Sequence, residues 1–83
     1  MKTYTQEEIK KVKEFANKQF DYLGETGEYP ADCIGFDYND MNICTPFIDD
    51  SARFELSFDK AIEMYGEKNV EYFMDTVLAR LMS

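Results

Sequence analysis

The sequence predicts a two-layer α+β domain over residues 1–83. Its expected form is a three-stranded antiparallel meander with helices packed on one face, in the order α-β-β-β-α-α. Three observations carry the prediction. Apolar residues recur at helical spacing near both ends of the chain. Between them, two alternating segments flank an Asn-Asp pair, the pattern of a hairpin. An apolar sheet face then needs one covering layer, which two longer amphipathic helices can supply.

The first helix is expected over 6–23. Thr5 with Glu8 forms a capping box, and Tyr4 and Ile9 take the hydrophobic-staple positions around it. Ile9, Val12, Ala16, Phe20 and Leu23 follow at helical spacing, and Gly24 is placed to sit just past the C-cap. Residues 24–32 read as a loop from their glycine, proline and polar content.

The hairpin follows. Setting Tyr38 opposite Met41 puts Phe36 opposite Ile43 and Ile34 opposite Thr45, all on one face. The other face holds Cys33, Gly35, Asp37, Asn42, Cys44 and Pro46, and is expected to meet water. Pro46 donates no backbone N–H, so its strand should be edge or bulged there. A second turn is predicted at 49–52 and a third strand at 53–56, with Phe54 and Leu56 facing inward. Ser57 can cap a helix from Phe58 to Tyr65 that Gly66 stops, and Asn69 is expected to cap the last helix. That helix carries Val70, Phe73, Met74, Val77, Leu78 and Leu81 on one stripe.

Composition narrows the functional classes. The 45% hydrophobic content and the abundance of Phe and Tyr argue against disorder despite the acidity. No run approaches the roughly 20 apolar residues of a membrane span, and the first residues lack the apolar stretch of a secretory signal. A cytoplasmic location is therefore expected. The chain has no His, which removes imidazole bases and most zinc sites, so neither catalysis nor a metal or other cofactor is expected. The segment from Asp37 to Asn42 lacks the glycine and the twelfth-position glutamate of a calcium loop. Cys33 and Cys44 are expected as free thiols, diagonal neighbours across the hairpin.

The charge distribution is the most informative feature. All of the net charge of −8 falls between Gln19 and Ala52, where eight acids occur with no Lys or Arg. Elsewhere acids and bases balance. A second acidic row, from Glu55 through Asp59, Glu63, Glu67 and Glu71 to Asp75, reads as a polar helix face partly neutralised by lysines. Such a balance repels nucleic acid and anionic membranes, so neither is an expected partner.

In size and charge the chain resembles the small acidic proteins of phages and plasmids that inhibit nucleic-acid enzymes: anti-CRISPR proteins, restriction inhibitors and nuclease immunity proteins. The resemblance is one of composition, covers no aligned segment and carries no residue roles. It implies a non-enzymatic inhibitor that docks on a basic protein surface. The residues expected at that contact are Glu25, Glu28, Asp32, Asp37, Asp40, Asp49 and Asp50, with Tyr29 as an aromatic anchor. The alternative expectation is a structural or adaptor module, self-associating through apolar residues such as Phe15 and Ile48.

Overall fold

The computed structural model of the chain describes residues 2–49 and 54–82. Helix α1 runs Gln6–Thr26 and opens with the capping box: the Glu8 N–H donates to the Thr5 hydroxyl at 3.0 Å, and the Thr5 N–H to the Glu8 carboxylate at 2.9 Å. It runs past Gly24 and stops at Gly27, whose φ of 79° is the left-handed cap that glycine adopts without strain. The buried face of α1 is Val12, Ala16 and Gln19.

Strands β1 (Phe36–Tyr38) and β2 (Met41–Ile43) pair in the expected register, with Phe36 opposite Ile43 and Tyr38 opposite Met41. The tight turn between them holds both Asn39 and Asp40 at positive φ, 50° and 63°, the two-residue geometry whose twist matches that of the strands.

Beyond Ile43 the expected single meander gives way to two separate two-stranded sheets. The anticipated strand from Met41 to Ile48 breaks after Ile43, and a separate β3 (Ile48–Asp49) pairs with β4 (Phe54–Glu55). Gln19 supplies the physical reason. Its side chain accepts the Ile34 N–H at 2.7 Å and donates to the Ile34 and Cys44 carbonyls at 3.1 and 2.6 Å. The Ile34 amide is thereby bonded to a helix side chain in place of a ladder partner. Pro46 has no N–H to extend the ladder. The chain turns instead, with the Ile48 N–H donating to the Thr45 carbonyl at 3.2 Å. Of the turn expected at 49–52, Asp49 lies in β3 instead, paired with Phe54; residues 50–52 and the first residue of the third strand, Arg53, lie outside the described residues.

Two orientations are corrected. Cys44 and Pro46 do not face water: both are buried, because α1 lies over the base of the hairpin through Gln19. Phe54 does not enter the core but is 55% exposed. Phe54 lines a shallow pocket with Asn17, Phe20 and Asp21 of α1 and Ile48 of β3.

Helix α2 (Phe58–Tyr65) starts where the Ser57 hydroxyl accepts the Lys60 N–H, and ends at Gly66. Helix α3 (Glu67–Leu81) begins one residue later, so Gly66, not Asn69, takes its N-cap position. Asn69 instead donates its side-chain amide to the Tyr65 carbonyl at 2.8 Å, tying the start of α3 to the end of α2.

Val12, Ala16, Phe47, Ala61, Val70, Phe73, Met74 and Val77 are fully sequestered from solvent. A run of edge-to-face and tilted ring contacts threads the core from Tyr38 through Tyr65, Phe36, Phe73, Phe47 and Phe58 to Tyr4, with centroids 5.4–6.3 Å apart. Each such pair contributes about 0.5–1.5 kcal/mol beyond area burial. The rings join the hairpin, the β2–β3 turn and all of the C-terminal helical layer.

Candidate protein-docking surface

The acidic stretch is held in place by the fold at several points. At the end of α1 the Gly27 N–H donates to the Leu23 carbonyl at 2.8 Å. The Thr26 hydroxyl lies 2.8 Å from the Tyr22 carbonyl and accepts the Glu28 N–H at 3.2 Å. Glu25 and Glu28 are exposed on this tied corner. The last turn of α1 contains no basic residue, and a helix C-terminus already carries about half a negative charge. The two carboxylates therefore add to the helix field instead of offsetting it, an arrangement that weakens the helix and strengthens the local negative potential.

Asp37 and Asp40 are exposed at the tip of the first hairpin, flanking an open concavity with Asn39. Among the described residues, no ion pair engages Glu25, Glu28, Asp37 or Asp40. Asp32 is exposed too, but its carboxylate lies 3.3 Å from the Arg80 guanidinium on the last turn of α3. That pair is solvated on both sides and contributes little to stability, yet it neutralises this site locally.

Tyr29 and Asp49 come together in a groove of about 270 Å³ between the first hairpin, β3 and the end of α2. Both are half-buried. The groove is also lined by Met41, Ile43, Met64 and Tyr65. Met41 is 61% exposed and Met64 37%, so flexible thioethers form its mouth. Methionine at a mouth of this kind adapts to the shape of what enters. Asp50 lies outside the described residues.

The expected contact residues thus fall into three places: the helix corner (Glu25, Glu28), the hairpin tip (Asp37, Asp40) and the groove (Tyr29, Asp49). Asp32 stands apart. Sequence reasoning missed Met41 and Met64, since nothing in their local spacing says that they share a groove. It missed Gln19 as well, although a polar residue seven positions after Val12, on the apolar stripe, was a signal for it. Two further tyrosines, Tyr22 and Tyr72, are 44% and 56% exposed.

The second acidic row contrasts with the first. Glu55 lies 3.6 Å from Lys13, Glu63 lies 3.3 Å from Lys60, and Asp75 lies 3.2 Å from Lys2 while accepting the Tyr4 hydroxyl at 2.8 Å. Burial and the neighbouring Asp75 carboxylate both push the Tyr4 phenol well above its usual range. Among the described residues, no three His, Cys, Asp or Glu side chains converge as a metal site. None of the described helices is long and apolar enough to cross a membrane. Comparisons with protein-family models, with curated proteins and with solved structures give no match.

Proposed function

We propose that this protein is a non-enzymatic inhibitor that binds a nucleic-acid-handling protein and occupies its basic, phosphate-binding groove. One observation carries the reading: the cation-free stretch from Gln19 to Ala52 presents Glu25, Glu28, Asp37 and Asp40 exposed on hydrogen-bonded structure, while Glu55, Glu63 and Asp75 of the C-terminal row each lie beside a lysine. Anchored carboxylates on a helix corner and a tight turn present charge in a fixed pattern, as charge-complementary docking requires. Tyr29 and Met41, next in the chain to Glu28 and Asp40, line a groove with Met64 that offers an apolar foothold.

The test is competition. A partner captured from host extract at low salt is identified, and the protein is titrated against that partner bound to labelled duplex. The unmodified protein should displace the duplex, less effectively as salt rises. Reversing Glu25, Glu28, Asp37 and Asp40 to Lys should weaken it. At about 0.5 kcal/mol for each exposed charge, the four together lose at least about 2 kcal/mol, roughly 30-fold in Kd. Undiminished displacement by the fourfold variant would overturn the proposal.

A second reading, self-association through apolar surface, is favoured by the exposure of Phe54. The residues first expected to mediate it, Ile48 and Phe15, are buried and packed against the core respectively, so such a contact would draw on exposed apolar residues such as Phe54, Tyr72 and Leu81 instead. Light scattering at low and high salt separates the two readings, since an apolar dimer persists at high salt.

A further inference from the structure

We propose that Cys33 and Cys44 form a redox modification site, which a low-molecular-weight disulfide converts reversibly into an intramolecular disulfide across the base of the first hairpin. The two sulfurs already lie 3.5 Å apart as free thiols. A disulfide needs about 2.05 Å, so roughly 1.5 Å of approach remains, within the reach of small side-chain rotations.

Two features keep the sulfurs in contact. The first is Gln19, whose amide bonds both backbone groups of Ile34, next to Cys33, and the carbonyl of Cys44 itself. One side chain therefore fixes the backbone on both sides of the pair. The second is Gly35. A Cβ at that position would stand 2.8 Å from the Cys44 sulfur and 2.7 Å from the Ile43 carbonyl oxygen. The space that the Cys44 sulfur occupies beside Cys33 exists because residue 35 has no side chain.

The two thiols differ in access, and that sets the order of events. Cys33 is half-buried and can meet a solution oxidant, whereas Cys44 is only 1% exposed. Burial, with the adjacent Cys33 sulfur, pushes the Cys44 thiol up to about 12. Cys33 therefore reacts first. It loses its proton to solvent, and its thiolate attacks one sulfur of the oxidant, for example oxidised glutathione. The oxidant's S–S bond breaks, and one glutathione thiolate leaves and takes up a proton. Cys44 then loses its proton and attacks the Cys33 sulfur, breaking the bond to the second glutathione. That glutathione also leaves as a thiol. Overall the protein gives up two protons and two electrons, and one oxidised glutathione becomes two reduced ones.

The ring closed in this way runs from residue 33 to residue 44 and contains the whole first hairpin, with Asp37 and Asp40 at its far end. Oxidation would thus stiffen the element that presents those carboxylates. The modification itself does not depend on what they bind.

The experiment equilibrates the folded, reduced protein with oxidised and reduced glutathione in graded ratio, quenches with acid and alkylates. Intact mass and melting temperature are then read. The expected product has lost two hydrogens, takes up no alkyl group, and melts roughly 15 °C higher, as the chain entropy of a loop this size implies for a small domain. Dithiothreitol should reverse both changes. Cys33→Ser, checked for folding by circular dichroism, should show neither. A glutathione adduct stranded on Cys33, a disulfide-linked dimer as the product, or a melting shift that persists in Cys33→Ser would each overturn the proposal.

Discussion

Replacing Gln19 with leucine tests the account of why the sheet breaks after Ile43. Leucine has a similar volume and a higher hydrophobicity, so on packing alone the change should be close to neutral. The hydrogen bonds say otherwise. The substitution removes an acceptor from the Ile34 N–H and a donor from the Ile34 and Cys44 carbonyls, in a place where Gln19 is 3% exposed. Each buried group left without a partner costs about 1–3 kcal/mol, and a carbonyl is more tolerant than an amide. The sum is about 2–5 kcal/mol, against a total of about 4–12 kcal/mol for a chain of this length. Urea unfolding followed by circular dichroism reads the difference. At about 1 kcal/mol per molar, the midpoint should fall by about 2 M or more. A shift below about 0.5 M would show that the clamp is not what holds the hairpin base. Gln19→Glu sharpens the test. A carboxylate there can accept from Ile34 but faces two carbonyl oxygens to which it can donate only when protonated. Its folded-state pKa is therefore raised. The stability of this variant is fully present below the ordinary carboxylate range and is lost as pH rises through the raised value.

Two further outcomes follow from the same geometry. Gly35→Ala places a methyl 2.7 Å from a backbone oxygen that cannot rotate away. It should destabilise by about 1–3 kcal/mol in the same urea assay, and a neutral result would mean that the hairpin base yields more readily than close packing implies. Alkaline pH should also weaken the fold. Tyr4 and Cys44 are both raised above their ordinary values, Cys44 to about 12, so each favours its neutral form in the folded state. Their contribution is present below the unfolded values and is lost as pH rises through the folded ones. Urea midpoints at pH 8 and pH 11 measure the loss, and Tyr4→Phe should show less of it; equal losses would exclude the tyrosine as a source.

Much of the fold was legible because its signals are local. The capping box at Thr5 and Glu8, the Ser57 cap and the stripe from Val70 to Leu78 each lie within a few turns of chain and form as expected, while Leu81, the last position expected on that stripe, is exposed. The Asn39-Asp40 turn specified its own register. What escaped was set between elements. Gly24 and Gly27 are both glycines, and only the tertiary ending of α1 chooses the second. The burial of Cys44 and Pro46 depends on α1 crossing the hairpin base, and no alternation within 41–48 encodes that crossing. Asn69 has a good capping residue's chemistry, but Gly66 had already turned the chain. In the candidate site, the clustering of charge could be read from the sequence. The pairing of Asp32 with Arg80, 48 residues away, and the seating of Tyr29 beside Met41 and Met64 could not.

Gly66 has a mechanical effect as well as a structural one. Its φ of 90° and ψ of 152° turn the chain between α2 and α3 within a single residue, and its N–H and carbonyl both stay bonded, to Ile62 and Val70. No slack exists between the helix that ends in Met64 and Tyr65 and the one whose Val70 and Phe73 are wholly enclosed. Anything that presses into the methionine-lined cleft therefore pushes on the interior itself, like a load on the short arm of a lever. Occupancy there would be felt across that single-residue joint, by Val70 and Phe73.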